Sequence, residues 1–463
     1  MPTEMREPLD DTIIAISTPI GYAGLGIVRM SGSRALAIAR AIFKPRGTRW
    51  NDLPARSLIL GDICRAAGKE AIDEAYLVYL PAPRSYTRED VIEISCHGSP
   101  VILEEVVRLG IRGGARQADP GEFTLRAYLN GRIDILQAEA VNDLVTAASL
   151  KQAQISFGQV RGTLSLRLAS VRSRVVRVLS LVEAGLEFPE EELPISAGKI
   201  ARTLESAAAA VRKLIGSYDT GRTLAEGLNL AIVGRANVGK STLFNALLDE
   251  DRAIVSPYPG TTRDYLRERI KIRDSIFHLV DMAGLDRPAH PVEEEAIQRS
   301  RRLASQADGV LLVVDASRPE SPADLRLIRK YGNKASMLLF NKCDLPNRID
   351  KEKCRAAFQG SRCLEISALR KTNLDRLKET IEAAFIPAES AGEEIILHLR
   401  QKLLLEQVLT ALNESLQLLR QGHSEEVWAE EIRRSLPYLG QLTGEIRSDD
   451  VIEEIFNRFC VGK

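Results

Sequence analysis

Gly234 and Gly239 stand five residues apart in GRANVGKST (234–242), and Lys240 and Ser241 follow the second glycine directly. Glycine adopts backbone conformations that other residues avoid, so a G-x-x-x-x-G-K-S loop can curl successive N–H groups around a phosphate chain. Lys240 then reaches the outer phosphates, and the Ser241 hydroxyl offers a ligand to Mg2+. Val238 and Thr242 complete the nucleotide-binding run. The chemistry is capture of a nucleoside triphosphate with its magnesium ion, and it requires a strand before the loop and a helix after it. LNLAIVG (228–234) is such a strand, a continuous apolar run of the type buried on both faces of a parallel sheet.

Further apolar strands place the remaining groups. IFHLVD (276–281) runs into DMAG, which suits Asp281 acting through water on magnesium and a Gly284 amide sensing the terminal phosphate. GVLLVVDAS (309–317) and SMLLFNKCD (336–344) complete an alternation of strands and helices that predicts a doubly wound, mostly parallel α/β sheet. The last strand ends in NKCD, and ISAL follows at 366–369. N-K-x-D with a Ser-Ala turn resembles the guanine-recognition pair of the Ras-like GTPases. That resemblance implies that Asp344 accepts two hydrogen bonds from guanine, which adenine cannot provide. It implies that Asn341 and Lys342 brace base and loop, and that Ser367, Ala368 and Leu369 present backbone to the base oxygen. Cys343, at the variable position, reads as packing filler.

Signalling GTPases carry a glutamine after this D-x-x-G, whereas Leu285 here has no polar atom to hold water. AIVSPYPGTTRD (253–264) supplies Thr262 as a second magnesium hydroxyl, and Asn237 stands where its side-chain oxygen can face a cation. Together these resemble the potassium-activated GTPases. The resemblance implies K+ ligands at Asn237, Ser256, Tyr258 and Thr261, several through carbonyls and bordering the nucleotide, and a water-orienting role for Glu293. Taken alone, Glu293 is also a first-turn helix acid like Glu294 and Glu295.

The flanks are more specific. DTIIAISTPIGYAGLGIVRMSG, SYTREDVIEISCHGSPVILEEVV and ADPGEFTLRAYLNGRIDILQAEAVNDLVTA resemble the MnmE (TrmE) family of tRNA-modifying GTPases, and the ending SDDVIEEIFNRFCVGK is similar to that family's Cys-Ile-Gly-Lys terminus. The resemblance spans almost the whole chain. It implies a homodimer that, with the FAD-dependent partner MnmG (GidA), adds an aminomethyl or carboxymethylaminomethyl group at carbon five of the tRNA wobble uridine. The one-carbon unit would come from a tetrahydrofolate derivative, 5-formyl- or methylenetetrahydrofolate. Arg29, Glu93 and Arg132 are thereby assigned to folate, Lys463 to folate binding through a folate carboxylate or else to the phosphate backbone of the substrate, and Cys460 to catalysis as nucleophile or acid. Arg132 replaces the family's usual lysine, Met282 and Asp286 replace its threonine and arginine, and Ala23 replaces a frequent glycine. Two other readings stand beside this one: a ribosome-assembly GTPase switch without folate chemistry, and a folate-dependent transferase with the G domain as regulator. Without any family, Arg29, Glu93 and Arg132 read as surface charges or ion pairs.

These elements need a chain long enough for several cores, and 463 residues at 44% hydrophobic supply them. The acidic start MPTEMREPLDD and the lack of any long apolar run predict a cytoplasmic protein with no membrane segment. The balance of 63 basic and 63 acidic residues excludes a surface that is basic throughout. Six cysteines without a C-x-x-C pair indicate neither disulfides nor a zinc site, and most read as buried. The expected organisation is an α/β folate-binding and dimerisation domain at 1–125, a helical domain in two parts at 126–222 and 388–463, and an inserted Ras-like G domain at 223–387. Helical spacing runs over 136–188, 197–217, 395–421 and EEVWAEEIRRSLPYLGQLTG, predicting one bundle that returns the C-terminus to the N-terminal domain. Residues 144–182 contain no acid but include Lys151, Arg161, Arg167, Arg172, Arg174 and Arg177. That run fits tRNA phosphates or, as the simpler expectation, pairing with Glu406, Glu414, Glu425, Glu426, Glu430 and Glu431.

Overall fold

Alternation along the strands decides which side chains are free to form a site. The structure, a computed structural model, describes residues 11–65, 70–187, 197–251, 267–273, 275–281, 307–332, 335–385, 395–446, 449–457 and 459–462. The chain divides into two compact units, Met1–Asn142 with Gln159–Ala208 and Gln407–Lys463, and Asp143–Gly158 with Ala209–Glu406. Among the described residues no helix is long and apolar enough to cross a membrane.

The first unit holds β1 (Ile13–Ile16), β2 (Ala23–Ser31), α1 (Ala35–Ile42), β3 (Phe43–Pro45), β4 (Ile59–Arg65), β5 (Glu70–Leu80), β6 (Val91–Gly98), α2 (Pro100–Arg112), β7 (Arg116–Gln117) and α3 (Glu122–Leu129). The sheet order is β3-β4-β5-β6-β2-β1-β7, and only the β1–β7 pair is parallel. An α/β reading of this region is therefore corrected: successive strands such as β4 and β5 pair directly, which antiparallel strands can do and parallel ones cannot. Ile38, Ile42, Leu103 and Val106 of α1 and α2 pack on Val28, Met30, Ile92, Ile94 and Cys96. Period-two alternation then turns Arg29 and Glu93, paired in register across β2 and β6, to the opposite face. There a small core of Ile13, Ala15, Ala118 and Phe123 takes in Tyr86.

The helical stretch expected over 136–188 is three helices, α4 (Ile135–Thr146), α5 (Leu150–Val160) and α6 (Thr163–Glu187). Two local signals break it. Ser149 accepts the amide of Gln152 at 3.1 Å, which caps α5, and Gly162 adopts φ +88° before α6. Leu164, Leu168, Val171, Val175, Val178 and Val182 form the buried stripe of α6. Next come α7 (Ala197–Gly216) and α8 (Tyr218–Glu226), the latter not anticipated. After the nucleotide domain the first unit also receives the end of α13 (Leu399–Arg420), α14 (Glu425–Thr443) and α15 (Asp449–Phe456), and α14 packs on α6. For Arg172 and Arg174 the anticipated acid partners are corrected here. Arg172 pairs with Glu445 at 2.9 Å, and Arg174 donates to Ser206 at 2.9 Å, while Glu414, Glu430 and Glu431 bond arginines 433 and 434 of α14 itself.

In the second unit, β8 (Leu228–Val233), α9 (Lys240–Asp251), β9 (Arg267–Ile272), β10 (Ser275–Asp281), β11 (Gly309–Asp315), α10 (Pro322–Tyr331), β12 (Ala335–Asn341), α11 (Lys351–Ala357), β13 (Cys363–Glu365) and α12 (Leu374–Phe385) form the nucleotide fold. Strand order is β13-β12-β11-β8-β10-β9, parallel except for β9. Leu230 and Ile232 enter one core and Ala231 and Val233 the other, which explains the unbroken apolar run. The charged RERIKI of β9 shows only half a strand signal because it lies at the sheet edge. Residues 395–398 are extended rather than helical: the Ile396 amide donates to Ser217 at 3.1 Å, and Ile395 and Leu397 pack with Leu224.

Candidate functional site

The phosphate loop is shaped by two residues in the left-handed region, Asn237 at φ +63° and Gly239 at φ +95°. Gly239 admits no side chain, because a Cβ there would lie 2.3 Å from Asn341 Nδ2. The Lys240 ammonium is buried inside the loop and donates to the Arg235 carbonyl at 2.8 Å. Val238 is buried, whereas Ser241 and Thr242 stand exposed on the first turn of α9, where amides and helix dipole favour anions. Asp281 ends β10 opposite Ile232, next to the start of the loop.

Asn341 joins the loop to the Ser-Ala turn. It donates to the Val238 carbonyl at 2.9 Å and accepts the Ala368 amide at 3.0 Å, and it is buried. Lys342 follows at φ +67°, a strained conformation for a long side chain. Its ammonium donates to the Asn237 carbonyl at 2.8 Å and to Asp315 at 2.6 Å. Burial alone would raise the Asp315 carboxyl pKa, but the hydrogen bonds from Lys342 and Ser317 outweigh it and hold the group below its ordinary value. Sequence reasoning passed over Asp315, although it closes an apolar strand as Asp281 does. Ser367 is buried and accepts the Arg370 amide at 3.1 Å, while Asp344 and Leu369 are exposed at the rim. Cys343 is half-buried and its amide donates to Ile366. Ser256, Tyr258, Thr261, Thr262, Gly284, Leu285, Glu293 and Lys463 lie outside the described residues, as do Met282 and Asp286.

A second constellation occupies the first unit. Arg29 directs Nε and Nη2 to the same oxygen, Oε1 of Glu93, at 2.8 and 2.7 Å, so Oε2 has no partner among the described residues. The Arg29 guanidinium lies 5.8 Å from the Tyr86 ring centre and 5.6 Å from that of Phe123. Arg132 lies 4.7 Å from the Tyr86 ring and donates to the Tyr86 carbonyl at 2.8 Å. No carboxylate partners Arg132 among the described residues. Such a set can accept from an N–H edge at Glu93 and meet a carboxylate at Arg132.

Helix α3 is anchored beneath this constellation. Arg126, 1% exposed, donates to Asp11 at 2.7 Å, Glu122 at 3.0 Å and Glu89 at 3.2 Å, and Arg116 bonds Asp11 and Glu122. Burial raises the Glu122 carboxyl pKa, yet the Arg116 and Asp119 hydrogen bonds bring it below its ordinary value. The C-terminal segment docks at the start of the same helix. Val461 bridges Pro120, the Gly121 amide donates to the Cys460 carbonyl at 3.3 Å, and the Ser17 hydroxyl donates to the Gly462 carbonyl at 3.3 Å. Gly462 adopts φ +96°, and a Cβ would come within 2.2 Å of the Ile16 carbonyl. Cys460 is half-buried, as are Cys343 and Cys363, so three of the six cysteines rather than most are buried.

Two family descriptions match the chain, MnmE helical domain over residues 135–460 and GTP-binding protein TrmE N-terminus over residues 12–132. The chain is similar to the tRNA modification GTPase MnmE of Geobacter sulfurreducens, 40% identical over 459 residues, covering 98% of this chain and 100% of that protein. The protein of the same name from Alkaliphilus metalliredigens is 36% identical over 459 residues, with the same coverage. That from Aquifex aeolicus is 37% identical over 461 residues, 99% of this chain and all of the relative. Shared sequence from the N-terminal sheet to the docked terminus leads to one assignment: the chain belongs to the MnmE family of tRNA modification GTPases.

Proposed function

We propose that this protein hydrolyses GTP and, with the FAD-dependent partner MnmG, installs an aminomethyl or carboxymethylaminomethyl group at carbon five of the wobble uridine of tRNA. A one-carbon tetrahydrofolate supplies the added carbon. The observation that carries the reading is the docking of Cys460–Gly462 onto residues 16–17 and 120–121, one to two steps along the chain from Arg29's register partner Ala15 and two to three from Phe123. A thiol is thereby held on the unit that carries Arg29, Glu93 and Arg132, as a modification chemistry needs and a pure switch does not.

The chain's own groups divide the work. Loop amides, Lys240 and the first turn of α9 take the phosphates, with Ser241 and Thr262 as magnesium ligands and Asp281 acting through water. Asp344 reads guanine, while Asn341 and Lys342 hold the loop that surrounds the phosphates. Bound potassium would supply positive charge in place of an arginine finger, with Asn237, Ser256, Tyr258 and Thr261 around it and Glu293 orienting water. Glu93 accepts from the pterin edge, Arg29 holds Glu93, and Arg132 and Lys463 meet folate carboxylates. The domains proposed are 1–125 for folate and dimerisation, 126–222 with 388–463 for the helices, and 223–387 for GTP, in a cytoplasmic homodimer.

The test is calorimetric titration of the full-length protein with 5-formyltetrahydrofolate, together with reconstituted modification by wild type and Cys460→Ser in the presence of MnmG. Binding, and loss of modification in the variant with GTP hydrolysis intact, are expected. A protein that binds no folate and supports no modification with MnmG would return the reading to a GTPase switch, and modification at the wild-type rate by Cys460→Ser would remove the thiol from the chemistry.

A further inference from the structure

Tyr86 has no role in the reading above, yet Arg29 and Arg132 are arranged around it. Its ring centre lies 4.7 Å from the Arg132 guanidinium carbon and 5.8 Å from that of Arg29. Its carbonyl accepts Arg132 Nη1 at 2.8 Å, and its hydroxyl shares a hydrogen bond with Thr124 of α3 at 3.0 Å. The ring also packs beside Ile13, Ala15, Ala118 and Phe123. Tyr86 is therefore held at both its backbone and its tip.

Charge defines what this ring can do. Glu93 offsets Arg29 through a bifurcated contact at 2.7–2.8 Å, whereas Arg132 is exposed and has no carboxylate partner among the described residues. An exposed arginine head ordinarily samples many rotamers, and fixing it costs roughly 1.5–2 kcal/mol. An aromatic face within about 6 Å recovers part of that cost before any ligand arrives, so the cation is pre-placed. We propose that Tyr86 is the positioning residue of this pocket: its ring holds the Arg132 head at a set spacing from the Arg29–Glu93 pair. A ligand with a donor edge and a carboxylate then meets Glu93 and Arg132 together. The inference rests on the folate reading and adds to it the residue that sets the distance between the two recognition ends. Tyr86 acts through Arg132 and not by touching the reacting carbon.

The experiment uses full-length protein with 5-formyltetrahydrofolate as probe, and reads binding, GTP hydrolysis and melting for wild type, Y86F, Y86L, R132Q and Y86L/R132Q. Removing the ring with Y86L weakens binding by about tenfold, the size expected for loss of cation–aromatic placement of one guanidinium. Y86F keeps the ring face that meets Arg132 and loses only the half-buried hydroxyl bond to Thr124, so it binds within about threefold of wild type. The double variant binds no more weakly than R132Q, because Tyr86 has nothing left to place. GTP hydrolysis stays unchanged in Y86F and Y86L, as neither touches the phosphate loop. Should Y86L not melt cooperatively, Y86M removes the ring with an unbranched side chain and is held to the same outcomes. Y86L binding like wild type, Y86F binding as weakly as Y86L, or additive losses in the double variant would each overturn the role of Tyr86 while leaving the folate reading standing. A wild type that binds no folate overturns both.

Discussion

Asp315 shows how one side chain supports a neighbour held in a strained conformation. Lys342 sits at φ +67° and reaches both the Asn237 carbonyl and Asp315, so removing the carboxylate frees the ammonium that ties the guanine motif to the phosphate loop. Asp315→Asn is expected to weaken guanine-nucleotide affinity by roughly tenfold, corresponding to one charge-assisted bond of about 1.5 kcal/mol, measured with a fluorescent GDP analogue. Unchanged affinity would mean the strand and loop hold Lys342 unaided. Asn237 poses a second test, because its carbonyl already takes Lys342 while its side chain is the proposed potassium ligand. Replacement by alanine also strains φ +63°, so Asn237→Gly, which tolerates that angle, is the control. Both variants should hydrolyse GTP at the same rate in sodium and potassium, while wild type runs faster in potassium; a surviving potassium effect in either refutes the assignment.

Helix α3 is the element on which the first unit's site depends, since it carries Phe123 and Thr124, buries Arg126 and receives the C-terminal segment at Gly121. Gly462→Ala tests the docking: the left-handed φ of +96° and a Cβ 2.2 Å from the Ile16 carbonyl cannot both be relieved without displacing the segment. Wobble-uridine modification should fall by tenfold or more, on the order of 1–2 kcal/mol of lost placement, with GTP hydrolysis untouched. Equal modification would show that Cys460 works without this docking. The Arg116–Glu122–Arg126 network makes a pH prediction. The folded Glu122 pKa lies below its ordinary 4.5, so its stabilisation is fully present above about pH 4.5 and is lost as pH falls through the lower folded value. Thermal melting should therefore drop on acidification below pH 4.5 more steeply in wild type than in Glu122→Gln. Parallel curves would assign the acid sensitivity to other carboxylates.

Across the whole molecule, the two sites lie in separate compact units, with the phosphate loop in one and the Arg29 pocket with the docked terminus in the other. Deleting residues 460–463 should accordingly abolish tRNA modification in a system reconstituted with MnmG and leave the GTP hydrolysis rate near wild type. Modification at the full rate would make the terminus dispensable. The basic run of α5 and α6 is read at the same scale. Arg172 and Glu445 are 42% and 53% exposed, and such a surface pair contributes about 0–1 kcal/mol. Arg172→Glu with Arg174→Glu should thus leave folding nearly intact, so a salt-dependent loss of tRNA binding would identify phosphate contacts, and unchanged binding at low salt would dismiss them.

The spacing of GRANVGKST, the apolar runs of β8, β10, β11 and β12, and NKCD with ISAL were readable from residue order, because each rests on local backbone geometry or on strands buried on both faces. The FCVGK ending was readable only through its likeness to a family. Pairing partners were not readable. Antiparallel order in the N-terminal sheet, the edge position of β9, the breaks that separate α4, α5 and α6, and the turn of Arg172 toward Glu445 depend on which distant segments meet. Tyr86 and Asp315 escaped for the same reason, since neither stands in a spaced motif and each acquires its role from an arginine or a lysine brought to it by the fold. Sequence order alone determined the residue types proposed to bind phosphate and read guanine, whose spacing within each motif is a property of a single turn. Tertiary structure decided that Arg29, Glu93, Tyr86 and Arg132 face one another and that the chain's end lies beside α3, because contacts between segments tens to hundreds of residues apart form only when buried apolar faces bring them together.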